Sequence, residues 1–207
     1  MNDTLTYYRH NAREFVAGTV DVDMSAHHRR FLELLPQQAS ILDLGCGSGR
    51  DSRFFAELGH RVTAVDGAPE LCRMAQKLTG FPVRCLLFED LDYTDAFDGV
   101  WACASLLHVE KGKMQDVLGM VARSMKSGGI LYVSYKYGPG HHTENGRFYS
   151  DYTEADIPVL FPESGDLQCI NWWITQDERP ERSSEKWINI LCRKRELDTI
   201  GICKRNL

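Results

Sequence analysis

Ile41-Leu42-Asp43-Leu44-Gly45-Cys46-Gly47-Ser48-Gly49 decides how this chain is read. Its first four residues form a short apolar run that stops at a glycine cluster, as a buried parallel strand does. From Arg50 onward Phe54, Phe55 and Leu58 recur at helical spacing, and Gly59 supplies a C-terminal stop. The cluster therefore lies between a strand and a helix. Glycines in that position let the chain turn sharply and let a ligand rest against bare main chain.

Outward from this turn, strand and helix periods alternate. Residues 62–65, 83–88, 97–102 and 130–135 read as four further strands. Ser25 is an N-cap for a helix carrying Phe31, Leu32 and Leu35 and ending before Pro36. Pro69 opens another helix, with Leu71, Met74, Ala75 and Leu78 inward and Gly80 at its close. Residues 113–126 show the strongest pattern, with Met114, Val117, Leu118, Val121, Ala122 and Met125 on one face before Gly128-Gly129. Residues 138–146 read as a polar loop. Thr153-x-x-Asp156 resembles a capping box before a helix kept short by Pro158 and Pro162. Residues 167–175 and 186–192 then predict a hairpin at one sheet edge, across a charged loop over 176–185. The class is α/β, a doubly wound, Rossmann-like and mostly parallel sheet with helices on both faces.

Composition narrows the function classes. The 207 residues suit one domain, and the net charge of −5 excludes a generally basic nucleic-acid coat. No run approaches the roughly 18 apolar residues of a membrane span. Met1-Asn2-Asp3-Thr4 has neither the basic region nor the apolar core of a leader, so the expected location is cytoplasmic, without membrane association. Seven scattered cysteines without a C-x-x-C pair argue against a disulfide framework or structural zinc.

The turn itself discriminates among ligands. A phosphate-binding P-loop ends in Gly-Lys-Ser/Thr, whereas Arg50 and Asp51 follow Gly49 here. A dinucleotide fingerprint needs its third glycine at position 50, which is Arg50. Asp43, directly before the glycines, repels a pyrophosphate and favours a cationic ligand. S-adenosylmethionine carries two cationic centres, an ammonium and a sulfonium. Asp66, at the end of the second strand, suits the hydroxyls of its ribose.

With those residues in view, the chain resembles the class I S-adenosylmethionine-dependent methyltransferases over about residues 38–136, most closely the small stand-alone members of tellurite-resistance type. The resemblance implies a seven-stranded sheet with an antiparallel last strand. It assigns Gly45, Cys46, Gly47 and Gly49 to the turn under the cofactor, Asp43 to its ammonium, and Asp66 with Gly67 to the ribose. It places Phe88 and Glu89 near the adenine, Glu89 for the amino group, and Cys103 and Ala104 beside the transferable methyl. Tyr7 and Tyr8 are expected to cap the cofactor from an N-terminal lid. On this scheme residues 1–35 are the lid, 36–136 the cofactor-binding core, and 137–207 an acceptor-side loop and hairpin.

Methyl transfer from a sulfonium needs alignment and exclusion of water, and a base only where the acceptor must lose a proton. No metal is called for. His108, Lys136 and Tyr149 are the candidate catalytic side chains, with Tyr7, Tyr137, Arg147 and Tyr152 near them. Each has a plainer reading: a packed histidine, and a lid held by ordinary surface pairs. Lys136, Arg147 and Tyr149 together suit an anionic or aromatic acceptor. The pairs His27-His28 and His141-His142 are adjacent, so their rings point apart and form poor metal sites. The expected activity is methylation of a small molecule by a monomer or homodimer. A nucleic-acid acceptor stays open through Trp172-Trp173 and the basic runs Arg193-Lys194-Arg195 and Lys204-Arg205. A non-catalytic regulatory domain that binds the same cofactor is the reading from another class.

Overall fold

The computed structural model describes residues 2–196, so Cys203 and the Lys204-Arg205 part of the basic run lie outside the described residues. Helices α1 (Asn2–Ala17) and α2 (Ser25–Leu32) precede strand β1 (Ser40–Leu44), helix α3 (Arg50–Glu57), β2 (Arg61–Asp66) and α4 (Pro69–Thr79). Then come β3 (Val83–Cys85), β4 (Phe97–Ala102), α5 (Lys111–Ser124) and β5 (Met125–Lys136). The last third holds β6 (His141–Glu144), β7 (Arg147–Ser150), the short α6 (Ile157–Leu160), β8 (Leu167–Gln176) and β9 (Lys186–Lys194).

Seven strands form one sheet in the order β3-β2-β1-β4-β5-β9-β8. The first five are parallel, and β9 runs antiparallel to β5 and to β8. The chain direction reverses its strand order at β1, so β1 and β4 diverge at the topological switch point where α/β folds bind ligands.

Side-chain alternation builds the two core layers. Leu42, Val100, Leu131 and Val133 face α5, which buries Met114, Val117, Leu118, Val121 and Ala122 against them. Ile41, Trp101, Ile130 and Tyr132 face the other way, under Phe31 of α2 and Phe55 of α3. Trp101 and Tyr132 stack at 3.9 Å between ring centres, both fully buried. Burying aromatic residues of this size is worth roughly 1.5–3 kcal/mol each.

Several boundaries differ from the sequence-based expectation. The third strand stops at Cys85 instead of running to 88, because it pairs only with β2 and leaves the sheet in a 3-10 turn over Phe88–Asp90. The second helix ends at Leu32. Residues 138–146 contribute the first arm of a hairpin instead of a plain loop: β6 and β7 pair around Asn145 and Gly146, both at positive φ (51° and 78°). Asn-Gly in that conformation is the strongest two-residue hairpin signal. The capping box at Thr153 and Asp156 is present, with the Asp156 carboxylate accepting the Thr153 N–H at 2.8 Å.

Candidate active site

The carboxyl ends of β1, β2, β4 and β5 open onto one cavity of about 220 Å³, which α1 and the β6–β7 hairpin cover. Its floor is the glycine turn. The N–H groups of Gly45 and Cys46 both donate to the Val65 carbonyl, each at 2.9 Å, which bends the chain across the tip of β2. Gly45 sits at φ +80°, and a Cβ there would lie 2.4 Å from the Ser105 Cβ. Only glycine fits.

Asp66 fastens the turn from the side. Its Oδ2 accepts the Gly47 N–H at 2.9 Å and its Oδ1 accepts the Ala68 N–H at 2.8 Å. Burial raises the Asp66 carboxyl, while those two N–H groups pull it back down. Each carboxylate oxygen keeps capacity for a further donor. The carboxylate both lines the cavity and holds its floor in shape.

Of the cofactor residues singled out in the sequence, Tyr8, Gly45, Cys46, Gly47 and Asp66 line the cavity, as do Gly67, Phe88, Cys103 and Ala104. His108, Lys136 and Tyr149 line its far end. Asp43, Gly49 and Glu89 do not line it. Asp43 is buried behind the turn, where its Oδ2 accepts the Ser52 hydroxyl at 2.5 Å and burial, with Asp51 nearby, raises its carboxyl. Gly49 is a packing glycine at φ +82°, with Ala75 of α4 within 3.0 Å of where its Cβ would be. Glu89 lies on the 3-10 turn, its Oε2 buried and without a hydrogen-bond partner among the described residues.

Sequence reasoning passed over Arg50 and Asp51 except to exclude other ligands. In the structure they line the cavity and anchor it. The Asp51 carboxylate accepts two hydrogen bonds from Arg50, one from the Trp101 indole at 2.8 Å, and pairs with His28 at 2.8 Å. Burial opposes its charge, yet the Arg50 guanidinium and the His28 contact hold it well below the usual carboxylate range. Thr19 and Met24 line it too and were missed, as was this place for His27, read only as a poor metal ligand. His27 pairs with Glu178 and His28 with Asp51, so the adjacent histidines do serve different neighbours.

At the opposite end, His108 follows β4 on a 3-10 turn. Its Nδ1 lies 2.6 Å from the Phe148 carbonyl, which can only accept, so Nδ1 carries the hydrogen. In the neutral ring Nε2 then accepts from the Tyr8 hydroxyl at 2.9 Å. Burial lowers the imidazole to about 4, so the ring stays neutral at ordinary pH and is a weak base. Burial also pushes the Tyr8 hydroxyl up to about 12. Lys136 pairs with Glu185 at 2.6 Å and lies 5.0 Å from the centre of the Tyr149 ring.

Residues 42–133 match the family whose description is methyltransferase domain. Over those residues the chain is similar to methyltransferase domains. The chain is 38% identical over 104 residues to a ubiquinone biosynthesis O-methyltransferase of Xanthomonas oryzae, covering 46% of this chain and 42% of that protein. It is 31% identical over 130 residues to a 2-methyl-6-phytyl-1,4-hydroquinone methyltransferase of Synechocystis, covering 59% of this chain and 40% of that one. The matches thus span under half the length of these curated relatives. Among solved structures, a Burkholderia thailandensis 1,6-didemethyltoxoflavin-N1-methyltransferase holding S-adenosylhomocysteine superposes with a TM-score of 0.75 at 24% identity, covering 92% of this chain and 85% of that one. That likeness shows the fold, including the antiparallel strand beside β5. Among the described residues no helix is long and apolar enough to cross a membrane.

Proposed function

We propose that this protein transfers a methyl group from S-adenosylmethionine to a small-molecule acceptor within the cavity between the glycine turn and the β6–β7 hairpin. One observation carries the reading: a single continuous cavity joins a carboxylate-fastened glycine turn to a group of cationic and aromatic side chains. The relatives that act in ubiquinone biosynthesis and on a hydroquinone support a small acceptor.

Bound at the turn, the donor supplies a methyl group already activated on a sulfonium. The chain's own residues bind and orient. Asp66 accepts the ribose hydroxyls, Gly45 to Gly47 present bare main chain, and Leu87 and Phe88 flank the base. The Ser105 Oγ, buried on the cavity wall and without a partner among the described residues, fits a polar ligand that meets it. Tyr8 and Phe15 from α1 close the cavity against water. His108 is too weak a base to take a proton readily at neutral pH, so its role is to orient the Tyr8 hydroxyl. Cys103 and Ala104 border the space where donor and acceptor meet.

Isothermal titration with S-adenosylmethionine and S-adenosylhomocysteine tests the donor half. Both bind, and Asp66→Ala weakens them by about 1–3 kcal/mol through unpaired ribose hydroxyls and a loosened turn. Tight binding of ATP or NAD with neither of these ligands bound sinks the reading.

A further inference from the structure

The side chains at the acceptor end do not balance in charge. Lys136, Arg147 and Arg182 share two carboxylates, Glu144 and Glu185. Glu185 is engaged by Lys136 at 2.6 Å and by Arg182, which leaves Arg147 with Glu144 as its one carboxylate partner among the described residues. That contact is long, 3.8 Å, and Glu144 is 43% exposed and also faces Lys136 at 3.9 Å and Arg182 at 3.6 Å. Arg147 itself has a side chain only 10% exposed; its guanidinium also meets the Tyr8 side chain, but its Nε is buried with no hydrogen-bond partner among the described residues.

A guanidinium withdrawn from water with an open donor is costly unless something meets it. Arg147 lines the cavity, so a ligand can reach it. Its surroundings are aromatic: the guanidinium carbon lies 4.3 Å from the centre of Tyr7 and 5.4 Å from that of Tyr149. Tyr8, Tyr149 and Trp187 line the cavity, whereas the Tyr7 ring under the guanidinium lies outside its wall. Ring faces of this kind hold a flat partner, and a planar fork matches a carboxylate edge with two parallel N–H donors.

We infer that the acceptor is a planar aromatic molecule bearing an acidic group, held through that group by Arg147. The inference rests on the cavity being the methyl-transfer site and names the class of molecule that enters it. Arg147 is a specificity residue here: it fixes which end of the acceptor points toward the hairpin and therefore which atom points toward Ala104.

The test is a titration of protein loaded with S-adenosylhomocysteine, using benzoate, salicylate and 3,4-dihydroxybenzoate beside their methyl esters. At least one acid binds about tenfold or more tighter than its ester, as expected for a charge-assisted pair in a partly buried site. In Arg147→Gln that preference falls below about threefold, while Arg147→Lys, which keeps the charge but not the fork, retains part of it. S-adenosylhomocysteine affinity is measured first for each variant, so that acid and ester are compared at saturating donor product even where loss of the Arg147 contact with Tyr8 loosens the lid. Esters binding as well as acids across the wild-type set, no acid binding at all, or an undiminished acid preference in a folded Arg147→Gln each overturn the proposal. An acid preference in protein that gives no heat with S-adenosylhomocysteine supports the anion site and removes the donor assignment alone.

Discussion

Gly45→Ala measures how tightly the glycine turn is pressed against the segment after β4. Two costs are separable. An L residue at φ +80° costs about 1–2 kcal/mol in backbone strain. The new methyl would also sit 2.4 Å from the Ser105 Cβ, more than an ångström inside an ordinary carbon–carbon contact. Overpacking of that kind costs about 1–3 kcal/mol as the chain shifts. Together they predict a loss of about 2–5 kcal/mol, or about 4–20 °C in melting temperature for a protein of this size. Urea unfolding gives the number directly. Ser105→Gly removes the contact but leaves φ unchanged, so the double variant recovers the overpacking share and keeps a deficit of about 1–2 kcal/mol. A Gly45→Ala variant within about 0.5 kcal/mol of wild type, or one that Ser105→Gly fails to rescue, refutes this account of the turn.

Two further outcomes follow from buried charge. His108 has a folded pKa near 4, below its value near 6.5 in the unfolded chain, so the unfolded state binds more protons between those limits. Stability is therefore full above about pH 6.5 and falls by up to about 3 kcal/mol as the pH drops toward 4; His108→Gln lacks this slice, and parallel pH–stability curves for the two proteins contradict it. Asp51→Ala strands Arg50 and the Trp101 indole, so it lowers stability by about 3–5 kcal/mol in urea unfolding, and a loss under about 1 kcal/mol shows that the network is dispensable.

Much of the fold was legible because its strands and helices obey their periods. β4 runs from Phe97 to Ala102 as the apolar run indicates, and Met114, Val117, Leu118, Val121 and Ala122 are buried on α5, whereas Met125, read with them, is the first residue of β5. Gly45, Gly47 and Asp66 were legible as a unit, because turn chemistry and strand-end charge are local properties. The hairpin at Asn145-Gly146 was equally local and was overlooked in favour of its polar composition. Other features depend on distance in sequence. Glu89 and Asp43 look like ligands on charge and position, but the early exit of β3 and the depth of β1 keep both out of the cavity wall. Asp51 looks like an ordinary first-turn acid of a helix. Only the approach of His28 and Trp101, 23 and 50 residues away, turns it into a buried anchor.

The main chain of Phe148 is bonded on both sides. Its N–H donates to the Thr4 hydroxyl at 3.0 Å, and its carbonyl takes the His108 ring hydrogen at 2.6 Å. The first helix and the segment after β4 are thereby tied to opposite sides of one residue. A displacement of the hairpin at Phe148 would therefore break both ties together, leaving the His108 ring and the helix that bears Tyr8 each short of one hydrogen-bond partner.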